Sequence, residues 1–351
     1  MALDIDQKEP VVLVERYGSV MAIILNRPHA INALTLEMIR LIRQALDEVK
    51  AENRFQFVLL SGAGSKGFCA GGDVKRLAKS VKEKAFWRAE LFFHEEYALD
   101  LSLHRFPKPV IVIADGITMG GGLGLSAGAD LVVATESTVM AFPETRIGFF
   151  PDVGATGWMF TKCLRGYPEY LGLTGYEAKG AECIRLGLAN GLTRKARLQK
   201  LRDTLTKYVP RISSEKGEAV GQLKALLDPF LEKKKILPAP EIDKSAEIHF
   251  SGKASVQEIM DSLLRCRPAN QWCEDSYREL SHRSPTALAL TLKLLRHNEG
   301  RRLEEVFAVE EKAAHFIIRH PDYLEGVRAH ILDKDDNPRW QPSADEVLFL
   351  K

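Results

Sequence analysis

Residues 116–131 read GITMGGGLGLSAGADL, and three consecutive glycines, Gly120, Gly121 and Gly122, stand where an apolar stretch gives way to a helical one. Glycine inside a helix costs about 1 kcal/mol relative to alanine, so a triplet at a helix entrance needs a physical reason. The strand-like run PVIVIADG (residues 109–116) precedes the triplet and DLVVAT (residues 130–135) follows it. Strand, glycine turn, helix and strand in succession point to an α/β layer structure with crossover helices.

The same alternation extends toward the amino terminus. VVLVERYGSVMAIILNRP (residues 11–28) places two apolar runs around Tyr17, Gly18 and Ser19, which predicts a hairpin. Leu34, Met38, Leu41, Ile42, Ala45, Leu46 and Val49 then recur at helical spacing, with Thr35 placed to cap the entrance. FQFVLLSG (residues 55–62) reads as a short buried strand. From about Ala196 the strand signals fade, and helical patterns such as Leu198 to Tyr208, Val256 to Leu264 and Leu303 to Arg319 take over. The expected organisation is therefore an α/β core over residues 1–195 and a helical region over residues 196–351. Between the helical patterns, residues 227–253 are polar and proline-bearing and predict an irregular surface connection. Within them the run Lys233, Lys234, Lys235 reads as a solvated face, with a phosphate contact as the other reading.

Composition narrows the partners. In 351 residues, 45% of them hydrophobic, Lys and Arg number 49 against 47 Asp and Glu, a net charge of +2 that calls for no nucleic-acid or membrane partner. The five cysteines, Cys69, Cys163, Cys183, Cys266 and Cys273, form no CxxC pair, so neither a disulfide framework nor a zinc site is expected. MALDIDQKEP is neither a secretory nor a transit segment, and no apolar run approaches the roughly 20 residues that span a bilayer; the expectation is a soluble cytoplasmic protein. No histidine spacing matches a metal motif, so no metal is implied. No G-x-G-x-x-G opens the first helix and GAGSKG (residues 62–67) lacks the Lys-Ser/Thr ending of a P-loop, so no nucleotide cofactor is implied either.

Two glycine clusters occupy matching positions, each after a strand and before a helix: Gly71 and Gly72 ahead of Asp73, a candidate cap for a helix from Val74, and the Gly120 triplet. Backbone N–H groups at a helix entrance lack partners within the helix and carry partial positive charge, which suits an oxyanion. Preorganised donors of that kind are worth about 3 to 4 kcal/mol to a transition state. Close packing or tight turns would equally call for glycine. Gly124 to Gly128 also fit G-x-S-x-G, but a nucleophile elbow sits directly after a strand and Ser126 falls well beyond Asp115, so Ser126 reads as a small packing residue. In VMAFPETRIGFFPDVGATGWM (residues 139–159), Glu144 and Asp152 stand among aromatic and apolar residues. Burial would raise their pKa values and make them candidate base, acid or nucleophile. Alternatively, Glu144 pairs with Arg146 and Asp152 caps the helix from Val153.

LNRPHAINALTLEMI (residues 25–39), GFCAGGD (67–73), GITMGGGLGLS (116–126) and MAFPETRIGFFPDVG (140–154) together resemble, in order, the landmarks of the crotonase, or enoyl-CoA hydratase/isomerase, superfamily. SPTALALT (284–291) and EGVRAHILDKDDNPRW (325–340) extend the likeness almost to the end, and the combination is most similar to the branch that cleaves 3-hydroxyisobutyryl-CoA. The resemblance implies a ββα spiral core with a long helical carboxyl-terminal region. It implies an acyl-CoA substrate in valine breakdown, with 3-hydroxypropionyl-CoA as a second candidate, CoA part of the substrate and no separate cofactor, and it leaves the oligomeric state open, a homo-oligomer among the outcomes. By the same resemblance Gly72 and Gly121 would form an oxyanion hole for the thioester carbonyl. Cys69 and Ala70 would give backbone contacts to the CoA adenine, and Arg27 would approach CoA phosphates, with His29 standing where many relatives carry lysine. Hydratases of this kind carry a glutamate at the position of Gly124, so the resemblance favours hydrolysis. Glu144 would attack the thioester or activate water, and Asp152 would bind the 3-hydroxyl and assist the leaving thiolate. A hydratase or isomerase, or a CoA-ester-binding protein without activity, are the alternatives.

Overall fold

The structure is a computed structural model, and it describes residues 9–209, 215–232 and 238–341. The Lys233 to Lys235 run lies outside the described residues. The strands are β1 (Val12–Tyr17), β2 (Val20–Leu25), β3 (Phe57–Gly62), β4 (Gly67–Cys69), β5 (Val110–Ala114), β6 (Ile117–Met119), β7 (Leu131–Thr135), β8 (Val139–Ala141), β9 (Ala178–Lys179) and β10 (Gly191–Thr193). Up to residue 195 the helices are α1 (Leu36–Ala51), α2 (Val74–Lys82), α3 (Phe86–His104), α4 (Gly121–Ala127), α5 (Ala155–Lys162), α6 (Tyr167–Thr174) and α7 (Glu182–Arg185). The remaining helices are α8 (Leu198–Lys207), α9 (Lys216–Leu227), α10 (Pro240–Phe250), α11 (Val256–Cys266), α12 (Gln271–Ser281), α13 (Pro285–Asn298), α14 (Leu303–Ile317) and α15 (Pro321–Val327).

Among the described residues, ten strands make two sheets. The larger has the order β1-β2-β3-β5-β7-β10, the smaller β4-β6-β8-β9. The β1–β2 hairpin turns at Gly18, whose φ of +48° suits glycine, and β2, β3, β5, β7 and β10 run parallel. Each central strand of the large sheet hands the chain, within a few residues, to a short strand of the small one: β3 to β4, β5 to β6, β7 to β8. This is the repeated ββα spiral. Because β4, β6 and β8 are adjacent and parallel, their carboxyl-terminal ends lie side by side, and whatever follows each of them converges on one place. Three-residue strands carry no readable period, so the small sheet follows from the resemblance and not from the hydrophobic pattern.

Alternation along the strands sorts the apolar side chains to two faces. Met21, Ile23, Val58, Leu60, Val112 and Val132 join the main core, whereas Val20, Ala22, Phe57, Leu59, Ile111 and Val133 face Leu201 and Leu205 of α8 and Leu223 and Leu227 of α9. Each such fully buried leucine contributes about 1.5 to 3 kcal/mol, which holds the start of the helical region against the sheet. Thr35 and Asp73 cap α1 and α2 as expected, accepting from the N–H of Met38 and Arg76 at 3.3 Å.

Two expectations are corrected. Residues 240–250, read as part of an irregular connection, form α10: Pro240 suits the first helical turn, and Ala246, His249 and Phe250 bury one face. Cys266 and Cys273 form a disulfide with their Cα atoms 5.9 Å apart, although no disulfide was expected. Their separation by seven residues is bridged by the turn between α11 and α12, which folds the two helices into a hairpin. No helix among the described residues is long and apolar enough to cross a membrane.

Candidate active site

Three successive turns of the spiral deliver the site. Gly71 and Gly72 follow β4, Gly120 and Gly121 follow β6, and Glu144 follows β8 at the start of a 3-10 turn over Glu144–Ile147. The two glycine clusters touch: a Cβ built on Gly71 would lie 3.4 Å from the Gly121 N and 3.5 Å from the Gly120 Cα. Gly71 and Gly120 have φ of +94° and +49°, where side chains are strained, and a Cβ on Gly120 would lie 2.8 Å from Glu144 Oε1. Gly121 is the first residue of α4, so its N–H has no acceptor within that helix. A Cβ there would collide with Glu96 Oε1.

These glycines, Glu144 and Asp152 border one cavity of about 480 Å³, walled by Phe92, Phe93, Phe149 and Tyr323. Glu144 is buried and its Oε2 has no hydrogen-bond partner among the described residues. Burial, then the neighbouring Asp152 charge, pushes its pKa well above the usual carboxylate range. Arg146 does not pair with it; its guanidinium donates to Asp336 (2.9 Å) and His330 (3.3 Å). Nor does Asp152 cap α5. Its carboxylate instead accepts from the Tyr97 hydroxyl at 2.7 Å, and burial raises its pKa to about 7 against the lowering pull of that hydrogen bond.

The other expected residues divide. Ala70 lines the cavity. Cys69 does not: it is fully buried, its thiol directed at the Asn32 carbonyl (3.4 Å), and burial pushes that thiol up to about 12. Arg27 is also away from the cavity wall, its guanidinium bonded to the Ala33 carbonyl and paired with Asp73 at 3.0 Å. His29 is exposed. Ser126 lies inside α4 with its hydroxyl on the Gly122 carbonyl (2.8 Å), which removes it as an elbow nucleophile.

A second set of acids stands behind the first. Glu96 and Asp100, one turn apart on α3, are buried; Glu96 Oε1 and both Asp100 carboxyl oxygens lack partners among the described residues. Burial first, and Asp152 second, raise the pKa of both. Glu310 of α14 accepts from the Gly154 N–H (2.6 Å), the Thr156 N–H (3.1 Å) and the Thr156 hydroxyl (2.5 Å), and burial lifts it to about 8. A Cβ on Gly124 would lie 2.6 Å from Asp100 Oδ2, so the space beside that glycine is already taken by a carboxyl from another helix. Sequence reasoning missed Glu96, Asp100, Tyr97 and Glu310. The available signal was in FFHEEYALDLSL (residues 92–103), where Glu96 and Asp100 share a face with Phe92, Phe93, Leu99 and Leu103.

Residues 20–348 match the family model described as enoyl-CoA hydratase/isomerase. The chain belongs to that family. It is 36% identical over 338 residues to the mitochondrial 3-hydroxyisobutyryl-CoA hydrolase of Danio rerio, covering 95% of this chain and 85% of that one. To the human protein of the same name it is 35% identical, covering 95% and 84%. Among solved structures it is similar to a carnitinyl-CoA dehydratase from Mycobacterium thermoresistibile, with a TM-score of 0.85, 30% identity and 97% and 94% of the two chains covered. It is also similar to an enoyl-CoA hydratase from Rhodobacter sphaeroides 2.4.1, at 0.81, 28%, 95% and 93%. In this enoyl-CoA hydratase/isomerase family member, the spiral and its convergence of strand ends therefore agree with the likeness read from the motifs.

Proposed function

We propose that this family member hydrolyses the thioester of a short 3-hydroxyacyl-CoA, 3-hydroxyisobutyryl-CoA first among them, releasing CoA and the free 3-hydroxy acid as in valine breakdown. The observation that carries the reading is Glu144, a buried carboxyl with an unpartnered oxygen, opposed by a helix entrance kept free of side chains at Gly120 and Gly121. The likeness to the mitochondrial 3-hydroxyisobutyryl-CoA hydrolases of Danio rerio and human supports it.

The geometry suits acyl transfer. The substrate carbonyl oxygen would accept from the Gly72 and Gly121 N–H groups, and charge developing there gains from the α4 dipole. Glu144 would attack the carbonyl carbon, giving a tetrahedral oxyanion that collapses as the C–S bond breaks, and water would then cleave the resulting anhydride. Deprotonation of an attacking water by Glu144 uses the same placement, and transfer of ¹⁸O from labelled water into Glu144 separates the two. Asp152 would supply the proton that the departing CoA thiolate takes up, and would hydrogen-bond the substrate 3-hydroxyl. Glu96, Glu144 and Asp152 share one cavity and cannot all ionise cheaply, so the site retains protons at neutral pH, as an acid catalyst requires. The chemistry so written uses no cofactor beyond the CoA carried by the substrate.

One observation favours water addition as a second reading: Glu96 supplies a second carboxyl in the cavity from α3, so a glycine at position 124 does not leave Glu144 without an acidic neighbour on that side. The substitution Glu144→Gln tests the first reading. It is expected to lower thioester cleavage roughly a thousandfold or more while binding of the CoA ester stays within a few-fold. Near-normal cleavage would refute it.

A further inference from the structure

Away from the cavity, three side chains capable of binding a soft metal ion meet where α10, α11 and α12 pack together. One donor atom each from His249, Cys266 and Cys273 all lie within 4.8 Å of one another. His249 and Cys273 are buried and Cys266 is half-buried. The imidazole is oriented from behind: its Nδ1 is 2.8 Å from the Ser262 hydroxyl, which leaves Nε2 directed at the Cys273 sulfur, 3.6 Å away. A neutral ring that donates from Nδ1 to Ser262 presents its lone pair at Nε2, the arrangement of a metal-binding histidine held by an outer hydrogen bond.

A bare disulfide has no need of that imidazole. We propose that, once the Cys266–Cys273 bond is reduced, His249, Cys266 and Cys273 form a three-ligand site for a soft divalent cation of the zinc type. Tetrahedral zinc with S and N ligands at about 2.3 and 2.0–2.1 Å sets sulfur and nitrogen about 3.5 Å apart, which the 3.6 Å between Cys273 Sγ and His249 Nε2 already matches. The two sulfurs have to open to about 3.8 Å, a movement that falls to Cys266 as the less buried of the pair. The balance is simple. A dithiol or phosphine reductant gives two electrons to the S–S bond and is itself oxidised, and two protons complete the thiols. The cation then displaces both protons, its two charges are met by two thiolates, and the imidazole binds neutral. Solvent on the Cys266 side supplies the fourth ligand. Sequence spacing could not signal this site because the three residues come together only through the packing of three helices.

The test uses the full chain, reduced with a phosphine, stripped of metal and titrated anaerobically with Co²⁺. The expected result is one equivalent bound, with a thiolate-to-cobalt charge-transfer band and the visible bands of tetrahedral cobalt, all lost on adding Zn²⁺. Cys273→Ser and Cys266→Ser are expected to abolish the charge-transfer band, and His249→Gln to weaken binding at least tenfold. Should the variants fold poorly, the wild-type chain still decides: Zn²⁺ is expected to shield Cys266 and Cys273, and not Cys69, Cys163 or Cys183, from alkylation mapped by mass spectrometry. No band in the reduced wild type, a band indifferent to His249→Gln, or no selective shielding would overturn the proposal and leave a disulfide alone. Neither result bears on thioester cleavage.

Discussion

Gly120 and Glu144 occupy each other's space: a single Cβ on Gly120 would stand 2.8 Å from Glu144 Oε1, at a φ of +49° that already disfavours any side chain. The glycine triplet is thus the condition for a carboxyl to lie against a helix entrance. At Gly121 the same holds for Glu96, and at Gly122 for the Cys69 carbonyl. Each residue of the triplet is bare for a different neighbour.

Gly121→Ala is accordingly expected to leave the chain folded and cut turnover about a hundredfold, by pushing Glu96 aside and disturbing a carbonyl-binding donor. Steady-state kinetics with a melting curve on the same sample check this. A loss of stability without loss of turnover would assign the glycine to packing alone.

In the proposed mechanism Asp152, its pKa raised by burial to about 7, is the acid for the leaving thiolate, so kcat/KM is expected to fall as pH rises through that value. The Tyr97 hydroxyl donates to Asp152 and stabilises its charged form. Tyr97→Phe should therefore move the falling limb of the pH profile to higher pH. A limb that stays put would detach Asp152 from the proton transfer.

Asp100 is buried with both oxygens unpartnered among the described residues, and its folded pKa lies above its unfolded value. The native chain holds a proton there that the unfolded chain releases. Its contribution to stability is complete below the unfolded value, near 4, and is lost as pH rises through the folded one. Asp100→Asn, which cannot ionise, is expected to raise the melting temperature relative to wild type more at pH 8 than at pH 5. Equal differences at the two pH values would mean that Asp100 does not titrate in the window.

Glu96→Gln separates hydrolysis from water addition. Thioester cleavage is expected to persist within about tenfold, because Glu144 and the glycine donors remain. Loss of cleavage as complete as that of Glu144→Gln would make Glu96 a partner in the reaction rather than a neighbour.

Much of this site was legible because its parts are local. Gly72, Gly121 and Glu144 each follow a strand end, Asp152 lies in the short segment ahead of α5, and the ordered motifs that contain them carry the family. What escaped reading is non-local. Glu96 and Asp100 become acids of the site only because α3 crosses beneath α4, and Glu310 only because α14 reaches the Gly154 turn. Arg27 and Cys69 stand apart from Ala70: the Arg27 guanidinium is paired with Asp73 and the Cys69 side chain is sealed in the core, so any contact of Cys69 with CoA falls to its backbone. The α10 helix was hidden by prolines, one of which, Pro240, starts it.

The most direct measurement is thiol release from 3-hydroxyisobutyryl-CoA by the purified chain, with crotonyl-CoA run beside it and its enoyl absorbance followed. Stoichiometric CoA thiol from the 3-hydroxyacyl ester and an unchanged crotonyl absorbance are expected. Decay of the crotonyl absorbance with no thiol released from either ester would contradict it, and would make Glu96 and Glu144 the carboxyl pair of a hydratase.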